Sequence, residues 1–473
     1  MGFKKKLYTC RPRPEPQPPI ETCVSRKRCK KVDCDPASIE RGVRQLLADK
    51  ASGNLAGIWL LVAEHLRLGT WDLLCGWTGK PAECVEPRLA MQLVHEAAVC
   101  THGIRAERTL HNRAGFELAN GLPFVATDPA IHHLLGDRTI ADAIELQVAL
   151  GKLRLVSGHF KGKLVAIDPH RVRSHSKRQM RTRVEKRESR PFKMAQTFWA
   201  LDADTDQPIC FTTGTSSRSA ADATPQLMDM VEAILQPSLS QTLVVADSEH
   251  FSGELISSIH QRTGLDLLVP MPNRKVYRKR FTEIPEDQFM RRWAGFATAK
   301  LPIELKKTSP GKYYQFVERC GERQEDWDYK GFLSTSDRDE VDALVTDFPK
   351  RWHVEEFFKS NQSLGWKRGG TMNLNIRYGQ MTMALIAQTA IHQLRQRLSE
   401  PYSKWDATHL AKEVFHGLEG DVRVTDDTIL VTYYNAPETL RAHYEDLPKK
   451  LAAEGVEPTI PWLYNYQLDF RFR

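Results

Sequence analysis

Apolar residues recur at helical spacing in the first third of the chain, then give way to short, dense apolar runs. Leu46, Leu47, Ala51, Leu55, Ile58, Trp59 and Val62 stand at helical intervals. Asp137 to Leu150 is a second amphipathic run with Thr139 as its cap, and Thr127-Asp-Pro opens a short capped segment before it. The pattern predicts a helical region over 36–155. From 163 it changes. Leu164 to Ile167 is a strand-like run ending in Asp168. Phe198 to Leu201, a polar turn and Ile209 to Thr213 form a hairpin. A helix over Thr224–Leu235 follows, then a strand over Thr242–Ala246 that ends in Asp247, a helix over Ser252–Ile259 and a strand over Leu265–Val269. Strands alternating with helices after an opening hairpin predict a mixed α/β sheet.

Residues 271–330 break this rhythm. They are polar and rich in Lys and Arg, with strand-like pieces such as Tyr313 to Val317, and read as an insertion. Gly331 to Thr335 returns to the sheet. Asp339 to Lys359 reads as mainly helical, with Pro349 starting a new helix, and Asn375 to Leu398 as a helix apolar on one face. The expected organisation is a basic flexible arm (1–35), a helical N-terminal domain (36–155), a core in two parts (156–270 and 331–399) around the insertion, and a C-terminal α+β region (400–473).

Charge sharpens the picture. The 67 basic and 59 acidic residues leave a net charge of +8, which evenly spread would say little. Residues 1–35 hold ten Lys or Arg against four Asp or Glu, and residues 171–193 hold ten against two. The tail from Glu400 reverses, with thirteen acidic and eight basic residues. Two concentrated basic blocks suit a polyanion partner. With 41% hydrophobic and 27% charged residues the chain can build a packed core, which excludes global disorder. No apolar run reaches the roughly 18 residues of a membrane helix, and the charged start Met1 to Lys6 is not followed by an apolar stretch. A membrane partner and a secretory signal are therefore not expected. Nine cysteines, an odd number, fit a reducing cytoplasm. Cys10, Cys23, Cys29 and Cys34 supply enough thiols for a tetrahedral zinc, but without a CxxC pair the spacing favours ordinary free cysteines.

The chemistry concentrates in three places. Asp168 and Asp247 each end an apolar strand of similar make-up, and strand ends are where α/β sheets project functional side chains. Two carboxylates brought close repel, and a divalent metal neutralises them best. The third place is Phe348-Pro-Lys-Arg-Trp-His-Val-Glu-Glu-Phe-Phe-Lys359. Arg351, Glu355 and Lys359 fall at i, i+4 and i+8 on one helical face, with Val354, Phe357 and Phe358 on the buried side. Alone, that stripe reads as an ordinary salt ladder, and either aspartate as a turn residue.

Taken in order, Leu-Val-Ala-Ile-Asp168, Val-Val-Ala-Asp247-Ser-Glu-His-Phe-Ser and Arg351-Trp-His-Val-Glu355-Glu-Phe-Phe-Lys359 resemble the DDE transposases of bacterial insertion sequences, in the group whose glutamate helix carries a tyrosine–arginine–glutamate–lysine signature. The resemblance covers roughly 163–398. It implies a ribonuclease H-like mixed sheet with helices, interrupted by a mostly β insertion and here preceded by an all-helical N-terminal domain that binds DNA ends. It implies a metal triad of Asp168, Asp247 and Glu355 holding Mg2+, for which Mn2+ substitutes. Glu355 is preferred to Glu356 because it keeps the spacing to Arg351. Arg351 is expected on the backbone of the transposon-end DNA, and Lys359 beside it by its place on the helix face. Two departures from the signature stand out: Phe348 in place of the tyrosine, and Gln362 in place of a lysine. Each removes a phosphate contact and neither touches the triad.

The implied reaction is a nick at the transposon end followed by joining of the 3′-hydroxyl to a target phosphate, a cut-and-paste route on double-stranded DNA, by a homodimer in the synaptic complex, in the bacterial cytoplasm and associated with the nucleoid. An aromatic of the insertion that holds a flipped base is expected too, with Trp293 and Trp327 as candidates and a packed indole as the plainer reading of either. The basic block after Asp168 would form a loop beside the metal site, with His170, Arg171, Arg173, Lys177 and Arg178 as phosphate contacts. Three other functions stay open: a ribonuclease H-like nuclease that only hydrolyses, a catalytically idle domesticated relative that binds DNA, and a zinc-stabilised binding module.

Overall fold

The computed structural model describes residues 35–53, 55–100, 110, 113–174, 179–183, 191–236, 241–305, 309–366 and 373–473. The expectations placed on the N-terminal arm and its four cysteines, and on Lys177 and Arg178, lie outside the described residues.

The N-terminal region is built from α1 (Pro36–Ala48), β1 (Ala51–Gly53), α2 (Ile58–Arg67), α3 (Thr70–Thr78), α4 (Val85–Ala98), α5 (Ala114–Ala119), α6 (Asp128–Gly136) and α7 (Ile140–Val156). Local chemistry sets the helix starts. Thr139 and Asp142 close a reciprocal capping box on α7, with Thr139 at the position its sequence suggested. One short strand, β1, interrupts the helices.

The core follows: β2 (Leu164–Arg173), β3 (Thr182–Arg183), β4 (Phe192–Asp202), β5 (Gln207–Gly214), α8 (Ala220–Leu235), β6 (Thr242–Ala246), α9 (Gly253–His260) and β7 (Leu265–Pro270). Its strand order is β5-β4-β2-β6-β7; β4 and β5 are antiparallel to their neighbours, while β2, β6 and β7 run parallel. This is the ribonuclease H-like arrangement. The insertion then adds α10 (Lys275–Thr282), β8 (Met290–Trp293), β9 (Phe296–Leu305), β10 (Ser309–Cys320) and β11 (Asp328–Ser334). Its strands do not form a separate sheet: β11 pairs with β7, and β10, β9 and β8 extend the same sheet outward.

Side-chain alternation splits the core sheet into two faces. Leu164 and Ala166 of β2, with Leu243 and Val245 of β6, face one hydrophobic cluster; Val165, Ile167, Val244 and Ala246 face another, which packs on α8 and α9. The first face is covered by α11 (His353–Asn361) and α12 (Leu374–Arg397). Sequence pattern predicts one apolar face for α12, but its middle is buried nearly all round, from Met381 through Ile391. The reason is tertiary: the sheet lies on one side and α2, α4 and α7 lie on the other.

The C-terminal region carries β12 (Gly420–Thr425), β13 (Thr428–Tyr433), β14 (Thr459–Ile460) and β15 (Tyr466–Phe472). They form a second sheet whose edge strand is β1 from the N-terminal region, with Ala51 opposite Val422. A buried ion cluster ties the same regions together. Glu64 of α2, 0% exposed, pairs with Arg67 at 2.8 Å and with Arg397 of α12 at 3.2 Å, and accepts the Tyr444 hydroxyl at 2.5 Å.

Candidate active site

β2 and β6 are parallel and in register, with Ile167 beside Ala246. The next residue on each, Asp168 and Asp247, therefore leaves the apolar sheet at one edge. β6 stops there. Asp247 caps the turn Ser248–His250, accepting the Glu249 backbone N–H at 3.0 Å, and its Oδ1 also accepts from Nδ1 of the buried His250 at 2.8 Å. β2 does not stop. Asp168 sits opposite Trp199, and the ladder with β4 runs on to Arg173 opposite Met194. The loop expected after Asp168 is instead a two-stranded ribbon, because β4 supplies partners for polar residues that alone look like loop.

Glu355 comes from α11. Val354, Phe357 and Phe358 bury themselves on the sheet face that Asp168 shares, with Phe357 and Phe358 at ring distances of 6.0 and 5.8 Å from Trp199. Asp168 and Glu355 therefore face one another. Arg351 lies just before α11 in the tight turn Phe348–Trp352, which follows from Pro349. It is 9% exposed. Its Nη1 lies 3.2 Å from Asp168 Oδ1 and its Nη2 lies 3.7 Å from Glu355 Oε1, so one guanidinium bridges two carboxylates.

Electrostatics follow from this crowding. Burial, with the Asp247 charge next, pushes Asp168 up to about 7 against the pull of Arg351 and His250; Glu355 adds to the rise. Asp247 goes the other way. Burial would raise it, but the His250 hydrogen bond and charge, the Glu249 N–H and Arg351 together hold it below the usual carboxylate range. Two carboxylates whose proton affinities are forced apart, with a third close enough to add charge, form an anionic edge with one buried counter-cation. The donors are hard oxygens, the kind Mg2+ and Mn2+ take. Among the described residues no three His, Cys, Asp or Glu side chains stand ready as a metal cage. The donor types fit a divalent ion, with Arg351 occupying the space between two of them.

The other candidates are placed as follows. His170 stacks on Phe358 at 4.1 Å, on the face of Asp168. Arg171, on the opposite face, pairs with Glu249, and its Nε donates to Gln196 at 3.3 Å. Arg173 lies 4.0 Å over the Phe192 ring. Lys359 is exposed. Phe348 packs edge-to-face on Phe332 at 4.8 Å, and Gln362 opens the turn after α11. In the insertion, Trp293 is 48% exposed and stacks on Phe296 at 4.5 Å, whereas Arg319 caps the Trp327 ring at 3.7 Å. Sequence reasoning missed His250 as the partner of Asp247, although it stands in the same motif. It also missed the reach of Arg351 to Asp168, since spacing signals only the pair with Glu355.

The transposase DDE domain family matches residues 159–389, a stretch that holds both aspartates, Arg351 and Glu355. Among solved structures, a cryo-EM structure of a piggyBac transposase synaptic complex with hairpin DNA is similar over 76% of this chain and 80% of that one, at 10% identity and a TM-score of 0.39. No curated protein matches the sequence.

Proposed function

We propose that this chain, whose residues 159–389 match the transposase DDE domain family, is a metal-dependent DNA transposase that cleaves at the ends of its element and joins them to target DNA by a cut-and-paste route. The observation that carries the reading is the anionic edge: Asp168 and Asp247 on adjacent parallel strands, with Glu355 linked to Asp168 through Arg351. These three carboxylates would hold Mg2+, or Mn2+ in its place. Bound there, the metal would supply Lewis-acid activation of water or a 3′-hydroxyl and stabilise the leaving oxygen.

The chain's own groups do the rest. His250 and the Glu249 N–H fix the orientation of Asp247 through one oxygen, which leaves the other for the ion. The ring contacts of Phe357 and Phe358 with Trp199 fix α11 and so Glu355. Arg351 and Lys359 hold backbone phosphates of the transposon end. His170, Arg171, Arg173, Lys177 and Arg178 continue the phosphate track, and Trp293, exposed and braced by Phe296, is the better placed indole for a flipped base. The partner is double-stranded DNA, met as a homodimer in the synaptic complex, in the bacterial cytoplasm at the nucleoid. Among the described residues no helix is long and apolar enough to cross a membrane.

The test is incubation of the purified protein with Mg2+ and the DNA flanking its own gene, with breaks and joined products mapped. Asp168→Ala, Asp247→Ala and Glu355→Ala should each abolish cleavage and joining while leaving DNA binding largely intact. Full activity in any one removes that residue from the triad. Cleavage without joining would favour a nuclease that only hydrolyses, and binding without cleavage an idle relative.

A further inference from the structure

The geometry points to α10 as a second DNA-backbone contact surface, placed beside the carboxylate edge by the end of β7; the inference rests on the DNA-transposase reading and names where the substrate continues. β2, β6 and β7 run parallel and so end at the same side of the sheet. Asp168 and Asp247 emerge there, and α10 begins five residues beyond Pro270. The helix is held to that edge. Its Phe281 is buried under β11 and its Tyr277 meets Phe251, four residues after Asp247, edge-to-face at 6.0 Å.

Tyr277 and Phe281 lie one turn apart and turn inward, so the opposite half of the helix faces solvent. That half is cationic. Residues 274–280 read Arg-Lys-Val-Tyr-Arg-Lys-Arg, and all five cations are exposed. Among the described residues Lys279 has one distant carboxylate, Glu283 at 3.7 Å, and Arg274, Lys275 and Arg280 have no ion pair.

This arrangement is costly for the helix itself. Arg274 and Arg278, and Lys275 and Lys279, are like-charge pairs at i, i+4, which weaken a helix. Arg274 and Lys275 stand at the N-terminal end, where the helix dipole disfavours cations, and the first turn has no acidic residue. Lys279 and Arg280 suit the last turn, where the dipole favours cations, but Arg274 and Lys275 at the start and the like-charge pairs bring the helix no structural gain. A polyanion lying along it would turn each of these costs into a gain, and a residue pattern that violates local helix rules marks a functional surface.

The test compares the full-length protein with the variant K275Q/R278Q/K279Q, using fluorescence anisotropy on a duplex from the DNA flanking its gene, between 50 and 200 mM salt. Three lost phosphate contacts should flatten the log–log salt slope by about 2.7, so that the wild type loses roughly 40-fold more affinity than the variant across that range. The charge-keeping variant K275R/K279R should retain the wild-type slope. Without DNA, K275Q/R278Q/K279Q should unfold at a temperature no lower than the wild type, since repulsion within α10 is relieved; this separates a binding defect from a folding defect. An unchanged slope in K275Q/R278Q/K279Q overturns the proposal, and is the outcome if the face meets an acidic protein instead. A wild type that binds no DNA defeats the transposase reading itself, which is distinguishable from failure of α10 alone.

Discussion

Asp168 makes a quantitative demand on the metal-free protein. Its carboxyl titrates near 3.8 in an unfolded chain and is pushed up to about 7 in the fold. The folded state therefore binds the proton more tightly. Its stabilising contribution is complete below the unfolded value and is lost as pH rises through about 7. The full difference is worth about 4 kcal/mol, of which about 2.5 kcal/mol falls between pH 5 and 8. The depressed Asp247 opposes part of this at the acid end only, because its own stabilisation is complete above the usual carboxylate range and is lost as pH falls below it. The assay is chemical or thermal unfolding at pH 5, 6, 7 and 8 in EDTA, on the wild type and on Asp168→Asn. The wild type should lose stability over this range relative to the variant, whose side chain cannot ionise. Added Mg2+ should restore more stability at pH 8 than at pH 6, because only the ionised carboxylate ligates well. Parallel pH curves for wild type and Asp168→Asn would refute the claim that burial and Asp247 crowd this carboxyl.

Other perturbations probe other parts of the molecule. Arg351→Ala should weaken binding to end DNA and lower the log–log salt slope by nearly one, checked by anisotropy titration at several salt concentrations; an unchanged slope speaks against a phosphate role. Glu64→Ala leaves Arg67 and Arg397 with Glu454 alone and the buried Tyr444 hydroxyl without its acceptor, and should cost about 1–3 kcal/mol, seen as a drop in unfolding midpoint. Gly57→Ala would place a methyl group 2.0 Å from the Val414 carbonyl oxygen and should destabilise by about 1–3 kcal/mol, read by the same unfolding assay.

Much of the core was legible because its signals are local. Dense apolar runs bounded by an aspartate gave the strands β2 and β6, and the spacing of Val354, Phe357 and Phe358 gave the buried stripe of α11. What the sequence hid is long-range. Residues 170–173 look like loop by composition, yet the ladder with β4 keeps them extended. Arg351 shows only its helical neighbour Glu355 in the sequence, while its shorter contact is with Asp168, 183 positions away. His250 lies in plain view beside Asp247, but a histidine three residues after an aspartate has no meaning until the turn brings its ring back. Nor does composition announce that the insertion strands extend the core sheet, since that depends on the free edge of β7.

The pairing of β1 with β12 closes the polypeptide into a loop of contacts around the half that carries the anionic edge. A premature stop codon between α12 and β12 would strip the ladder from β1, remove the Tyr444 hydroxyl from Glu64 and bare the apolar flank that β13 and β15 cover. Alleles shortened to that point are thus expected to behave as full losses, even though every residue of the anionic edge would still be translated.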